Sequence, residues 1–284
     1  MKNRNTGFSL VEIMVGIVIG VIAIAAAFSS YNYFNKSYDL VSQKAKINKA
    51  AREGLAVIAR DLRNAGYIDP NYIKDSRPEI HLIGQRQKYP GAGNMDGLNI
   101  YHTYKPQANM SQVRQGIYYK PMKYQNSNDF YLARETINDP IIKGADYKTF
   151  LGSLEFIPYI SDFQVVFKDK DGNELFPVCD YCGPVENAQG SGTMVGSYNL
   201  GQANMKKVHT AEIYLTVRTP KEIYKNNKLV RIKNHTGSNG NEQTFNDKYH
   251  RETFFVSVHT RNLAKHIAIS EQTGTSIGVS STYN

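Results

Sequence analysis

The sequence predicts an α+β protein in which one long N-terminal helix precedes a domain built around an antiparallel β-sheet. Apolar residues recur at helical spacing from residue 8 to about residue 66, first continuously and then along one side. Beyond residue 67 the pattern changes to short, aromatic-rich runs separated by Gly, Pro, Asn and Asp. The 284 residues suffice for this helix and one sizeable domain.

The first part of the predicted helix is apolar enough to cross a membrane. Residues 8–28 contain no polar residue after Glu12, and at ~1.5 Å per residue they reach about the 30 Å thickness of a bilayer core. Lys2 and Arg4 precede them without an acidic residue, which is typical of a flank that stays in the cytoplasm. We therefore predict a transmembrane segment at residues 8–28, followed by a domain on the far side of the membrane. A secretory signal that is cut off after its apolar core is disfavoured, because the apolar run continues directly into the rest of the helix.

The second part of the helix is predicted to be amphipathic. Its apolar residues follow spacings of three and four, which place them on one face, and basic residues lie mostly off that face. Gly66 followed by Pro70 predicts the end of the helix near residue 66. The predicted apolar stripe consists of Phe34, Tyr38, Val41, Ala45, Asn48, Ala51, Leu55, Ile58 and Leu62.

Residues 67–270 are predicted to form the β-rich domain, and residues 271–284 a flexible tail. Runs typical of strands occupy residues 97–104, 116–122, 129–135, 163–167, 208–219 and 252–264, of which the last two are expected to pair. Asp171-Gly172 predicts a hairpin turn. Residues 169–174 also resemble the start of a calcium loop, but Asp180 stands where such a loop needs a closing glutamate. A turn is therefore favoured, and calcium binding at this place is left open.

The two cysteines of the chain, Cys179 and Cys182, form a C-x-x-C pair. In an oxidising compartment outside the inner membrane, a local disulfide is the favoured state. A redox motif or half of a zinc site are the alternatives, although no further cysteines are present to complete a finger-type site. We predict no metal site and no cofactor.

A basic segment separates the two C-terminal strands. The formal net charge of the chain is +9, which permits contact with anionic lipid or nucleic acid without requiring either. A solvated hairpin extension is the favoured interpretation of this segment, and an anion-binding surface is the alternative. The candidate anion-binding residues are Lys221, Lys225, Lys228, Arg231 and Lys233.

Motifs of catalysis are missing from the sequence. It contains no G-x-S-x-G, no H-E-x-x-H, no phosphate-binding loop ending in Lys-Ser/Thr and no dinucleotide glycine pattern. We therefore predict that the protein is not an enzyme.

The N-terminus resembles a known processing signal. Residues 7–12, Gly-Phe-Ser-Leu-Val-Glu, follow a short basic leader and precede an apolar helix, as in the class III signal of type IV prepilins and type II secretion pseudopilins. The resemblance implies that a prepilin peptidase removes residues 1–7 by cutting between Gly7 and Phe8, and that the new Phe8 amine is methylated. It also implies that the Glu12 carboxylate neutralises the amine of a neighbouring subunit and sets the axial register of a filament.

Residues 59–67, Ala-Arg-Asp-Leu-Arg-Asn-Ala-Gly-Tyr, resemble the end of the long helix in the PilW family of minor type IV pilins. The resemblance implies an inner-membrane protein with a periplasmic domain that later joins other minor and major pilins in the filament. In that family such a subunit takes part in starting pilus assembly and stays at or near the tip. A J-type pseudopilin of type II secretion, or a tip adhesin or DNA-binding module, are the alternatives, with nucleic acid not an expected partner.

Overall fold

The computed structural model of the chain describes residues 9–67, 82–86, 95–104, 113–140, 149–175, 207–233, 235 and 242–263. It consists of one long helix, α1 (Leu10–Asn64), and ten strands. The strands are β1 (Leu82–Arg86), β2 (Asp96–Tyr104), β3 (Val113–Lys123), β4 (Phe130–Pro140), β5 (Thr149–Lys168), β6 (Glu174–Leu175), β7 (Thr210–Arg218), β8 (Lys228–Ile232), β9 (Gln243–Asp247) and β10 (Arg251–His259). The predicted α+β class, a long helix followed by antiparallel strands, is confirmed.

The chain divides into two compact units, residues 1–46 and residues 47–284. In the first unit the described residues 9–46 are helical from Leu10 onward, and none of their side chains is buried. Continuous helix formation is expected here, since no proline interrupts the segment.

In the second unit the end of α1 packs against the sheet. Ala51, Leu55, Ile58 and Leu62 are buried, as the apolar stripe predicts. These residues join the side chains of the facing strands in one hydrophobic core. By contrast, the stripe residues Phe34, Tyr38 and Val41 belong to the first unit and remain exposed.

The helix ends where the glycine signal predicts. After Asn64 the chain turns, and Gly66 has a φ of 74°, a left-handed conformation in which glycine carries no side-chain penalty. The Gly66 N–H donates to the Tyr101 carbonyl on β2 at 3.0 Å. The end of the helix is thus tied to the sheet through its backbone.

The main sheet has the strand order β1-β2-β3-β4-β5-β7-β10, with β6 paired to β5, and every pairing is antiparallel. Strand β5 pairs with β4 along its first half and with β7 along its second half. At the changeover the register shifts on both sides, and Tyr159 has a φ of 52°, which is unusual for a residue other than glycine. A β-bulge therefore lies where β5 exchanges one partner for the other.

The predicted strands are confirmed, including the pairing of the two C-terminal ones as β7 and β10. Along β5, Gln164 and Val166 alternate with core residues such as Phe163, and both are themselves buried although they do not belong to the core. Gln164 accepts a hydrogen bond from the His235 N–H at 2.6 Å and donates to the Lys233 carbonyl at 3.2 Å. The segment after β8 therefore covers the second face of this central strand.

Two hairpins complete the described domain. Strands β5 and β6 pair across the predicted turn, in which Gly172 has a φ of 83° and Asp169 Oδ1 accepts the N–H groups of Asp171 and Asn173. Strands β8 and β9 form a separate two-stranded sheet. The interpretation of the basic segment as a hairpin extension between the last two strands of the main sheet is confirmed.

Candidate functional site

The start of α1 is held by a reciprocal pair of hydrogen bonds. The Ser9 N–H donates to Glu12 Oε2 at 3.3 Å, and the Glu12 N–H donates to Ser9 Oγ at 3.2 Å. This arrangement is a capping box, which satisfies two backbone donors that have no partner within the helix. The Glu12 carboxylate is therefore placed at the positive end of the helix dipole by its own chain.

Beyond this cap the helix presents apolar side chains to its surroundings. Large side chains such as Leu10, Ile17 and Phe28 are each more than 60% exposed. Within the described residues, α1 is the one helix that is long and apolar enough to cross a membrane, and it lies near the N-terminus. Such a surface needs lipid or other protein to cover it, because water contact with this much apolar area is unfavourable.

Comparison with protein families finds a match on this segment. Residues 2–28 carry the prokaryotic N-terminal methylation motif. This motif is the class III signal of type IV pilin-like proteins, so the chain has a pilin-type N-terminus. No curated protein matches the chain, and no solved structure matches it.

The methylation motif implies processing by a prepilin peptidase and assembly with other pilins. The predicted cleavage residues Gly7 and Phe8 lie outside the described residues, as do Cys179 and Cys182. Their predicted roles, cleavage and a disulfide, remain predictions. Glu12 is described, but its pairing with the amine of a neighbouring subunit also stays a prediction.

The five candidate anion-binding residues are all exposed at or near the β8–β9 hairpin. They do not form one continuous face. Arg231 lies beside the exposed Leu229 on one side of β8, whereas Lys228 shares the other side with the buried Ile232. Lys228 instead lies 5.0 Å from the centre of the Tyr224 ring. Anion binding by this hairpin therefore stays a prediction.

An ion pair with a buried carboxylate, which the sequence did not reveal, joins the end of α1 to the sheet. Arg134 Nη2 on β4 donates to Asp61 Oδ2 at 2.9 Å, and the Tyr119 hydroxyl on β3 donates to the same oxygen at 2.6 Å. Asp61 is only 4% exposed. Arg134 also donates from Nη1 to Thr136 Oγ1 at 3.2 Å, which fixes the guanidinium plane.

The surroundings of Asp61 explain the protonation states in this network. Burial raises the pKa of Tyr119 well above its usual range, and the charge of Asp61 and its hydrogen bond raise it further. Tyr119 is consequently a hydrogen-bond donor at every physiological pH. Nearby, burial lowers the pKa of His102, although the charge of Asp61 acts in the opposite direction.

A signal for this network was present in the motif at residues 59–67. Asp61 directly precedes Leu62 of the apolar stripe, so it lies at the edge of the buried face. A carboxylate at such a position is rarely buried unless it is paired. What the sequence did not contain was the identity of the partners, which lie 58 and 73 residues further along the chain.

Within the described part of the chain, no group of three or more His, Cys, Asp or Glu side chains could hold a metal ion. The start of α1 is capped and apolar, and its end is attached to the sheet by an ion pair. Both features serve packing and assembly.

Proposed function

We propose that this protein is a minor pilin of a type IV pilus that takes part in the initiation of pilus assembly and is located at or near the filament tip. One observation carries the proposal. The N-terminal methylation motif at residues 2–28 leads, without a break, into a helix whose apolar side chains are not covered by the chain itself. A retained helix of this kind can be held by lipid before assembly and by neighbouring helices afterwards.

The proposed mechanism is non-covalent. Cleavage after Gly7 creates a free amine on Phe8, and transfer of that charged amine into an apolar helical bundle is costly unless a negative charge accompanies it. Glu12 of a neighbouring subunit is the proposed partner. In this chain the Ser9 N–H contacts Oε2 of Glu12, so the other carboxylate oxygen can face such a partner.

The assignment to a PilW-type subunit rests on the resemblance of residues 59–67 and on the use of Asp61 from that stretch as a structural anchor. A J-type pseudopilin of type II secretion is the alternative, because it shares the signal and the fold plan. Deletion of the gene separates the two. Loss of surface filaments with normal secretion supports the pilus role, whereas loss of secreted proteins with normal pili supports the secretion role.

The first test is mass spectrometry of the mature protein. We expect an N-terminus at Phe8 that carries one added methyl group and an intact residue 8–28 segment. A terminus at Met1, or one beyond Ala27, would contradict prepilin-type processing and with it the proposal.

The second test separates the two roles that Glu12 can have. Gln can replace Glu in a capping box but cannot form an ion pair, so Glu12→Gln should abolish incorporation into filaments if charge pairing is the essential role. Ser9→Ala removes the cap while leaving the carboxylate, and it should assemble nearly normally. The opposite result, in which Glu12→Gln assembles and Ser9→Ala does not, would show that Glu12 serves only its own helix.

A further inference from the structure

A small pocket opens in the second unit where five parts of the chain meet. The β3–β4 turn, the bulged middle of β5 and the segment from the end of β9 to the start of β10, with Met95 before β2 and Arg218 at the end of β7, surround a volume of about 220 Å³. Apolar side chains of Met95, Phe130 and Ile160 line part of its wall, and all three are buried. This pocket plays no part in the proposed assembly of helices.

Two arginine–aspartate pairs line the pocket. Arg251 donates from Nη1 and Nη2 to the two carboxylate oxygens of Asp247, at 2.6 Å each, and from Nε to Ser161 Oγ at 3.1 Å. Arg218 forms the second pair with Asp129. The four charges cancel, so the lining is electrically neutral as a whole.

The two members of each pair differ in the solvent exposure of their side chains. The side chains of Arg218 and Arg251 are 7% and 4% exposed, whereas those of Asp129 and Asp247 are each 31% exposed. A bound molecule therefore meets carboxylate oxygens, which accept hydrogen bonds but cannot donate them. The guanidinium groups hold these oxygens in place from behind.

The acceptors are fixed before any ligand arrives. The Tyr249 N–H donates to Asp247 Oδ1 at 3.1 Å, and the Arg218 guanidinium holds the carboxylate of Asp129. Burial alone would raise the pKa of Asp247, but the hydrogen bonds from Arg251 and from the Tyr249 N–H outweigh it and hold that pKa below its ordinary value. Asp247 stays ionised, and its hydrogen-bonding geometry is preorganised.

Aromatic rings complete the lining. Phe245 and Tyr249 border the pocket, and each packs against a guanidinium group, with ring-centre distances of 4.1 Å to Arg251 and 4.0 Å to Arg218. Their positions are thereby held rigid. The pocket thus combines apolar and aromatic surface with a few convergent polar acceptors, which is the usual composition of a small-molecule site.

We propose that this pocket binds a neutral, hydroxyl-rich ring, such as a single hexopyranose unit of a glycan, through hydroxyl groups that donate to Asp129 and Asp247. An anionic ligand is disfavoured because it would face the exposed carboxylate oxygens rather than the covered guanidinium groups. A cation would give up hydration for carboxylates that are already paired with arginine. A neutral hydroxyl donor uses the free lone pairs and leaves both ion pairs intact.

The volume sets the size of the ligand. Pockets for drug-sized molecules measure about 300–1,000 Å³, so a volume of about 220 Å³ corresponds to one ring rather than to an extended chain. The site accordingly fits the terminal or a side-branch unit of a larger glycan.

The test uses the mature full-length protein in lipid nanodiscs, because detergents with sugar headgroups would compete for the pocket. Saturation-transfer NMR is recorded with a panel of methyl hexopyranosides at millimolar concentration, with butylammonium and acetate as charged probes of similar or smaller size. We expect transfer to the ring C–H protons of at least one glycoside and none to the charged probes. A deoxy analogue that lacks one donating hydroxyl group should bind more weakly.

Two variants and a control locate the binding in this pocket. Asp129→Asn weakens a charge-assisted hydrogen bond, and we expect glycoside affinity to fall at least about tenfold. Asn128→Ala removes an exposed side chain that lines the pocket, so it should also weaken glycoside binding, and its folding is not in question. Asp171→Asn, in the exposed β5–β6 turn, should bind like the unaltered protein.

The proposal is overturned if no glycoside shows saturation transfer, or if a charged probe binds in place of the glycosides. It is also overturned if Asp129→Asn and Asn128→Ala bind as tightly as the Asp171→Asn control. Because binding is measured on the isolated protein, these outcomes do not depend on whether the chain assembles into a pilus.

Discussion

Asp61 shows how one side chain can fix a helix on a sheet. Its carboxylate is almost fully buried and accepts hydrogen bonds from Arg134 and Tyr119 on two different strands. A buried pair of this kind adds little net stability compared with apolar residues of the same shape, but removal of one partner leaves a costly unpaired charge. The pair therefore specifies where the last turns of α1 sit on the sheet.

We predict that Asp61→Asn destabilises the protein by about 2–4 kcal/mol. The amide keeps the shape of the carboxylate and can still accept a hydrogen bond from Tyr119, but it leaves the guanidinium of Arg134 without its counter-charge. Because the Arg134 side chain is 21% exposed, we expect a loss of stability toward the lower end of this range. Urea unfolding followed by circular dichroism measures the change. Asp171→Asn is the matched control, and an equal effect of both variants would show that the charge pair does not hold the helix.

Asp162 is the second residue whose burial has consequences. It is 1% exposed, and burial raises its pKa to about 7, against the opposing effect of the hydrogen bond from Gln164. In the described part of the chain its Oδ1 atom has no hydrogen-bond partner. Between about pH 4, near the ordinary pKa of Asp, and pH 7, the folded state keeps a proton that the unfolded state releases, so stability falls as the pH rises through this range.

We predict that Asp162→Asn removes this loss of stability at rising pH. Below about pH 4 the difference in free energy of unfolding between the variant and the unaltered protein should not change with pH. From pH 4 to pH 7 the free energy of unfolding of the variant should rise by up to about 4 kcal/mol relative to that of the unaltered protein, at 1.36 kcal/mol per pKa unit. Urea midpoints measured across this range test the prediction. Parallel curves for the two proteins would mean that Asp162 titrates normally in the folded state.

At the scale of elements, the close approach of α1 to the sheet depends on one glycine. A Cβ atom added at Gly54 would lie 2.3 Å from Ile157 Cδ1 and 2.6 Å from its Cγ1. Ile157 is fully buried on β5, so its side chain has little room to move. The helix and the strand can therefore pack at this distance only if residue 54 has no side chain.

We predict that Gly54→Ala lowers stability by up to about 2 kcal/mol, because overpacking costs about 1–3 kcal/mol and the gain in helix propensity offsets roughly 1 kcal/mol of it. Ile157→Val in the same chain should restore part of the loss by removing Cδ1. Gly20→Ala, where no atom of the chain lies within 4 Å, should leave the unfolding of the second unit unchanged. A stabilising Gly54→Ala would show that the core yields more easily than the contact distances indicate.

At the scale of the whole molecule, the two units differ in whether their own chain covers their apolar side chains. The second unit buries the apolar residues of its helix and strands in its own core. In the first unit, the described residues 9–46 have no buried side chain, although residues 13–28 are apolar throughout. A chain with this distribution requires an apolar surrounding for its N-terminal part, and lipid and neighbouring pilin helices are the two that the methylation motif suggests.

The sequence by itself determined the elements and the N-terminal signal. Helical spacing, the glycine at the end of α1, the Asp-Gly turn and the alternation in β7 and β10 are local patterns, and each depends on residues a few positions apart. The methylation motif is likewise local, because it consists of one short, continuous stretch of residues.

Only the tertiary structure decided that Asp61 meets Arg134 and Tyr119, that the far face of β5 is covered at Gln164, and that two arginine–aspartate pairs converge on one pocket. Apart from the Arg251–Asp247 pair, which is four residues apart, these contacts join residues from 58 to 90 positions apart. A pattern of neighbours in the sequence carries no information about which distant side chains the fold brings together.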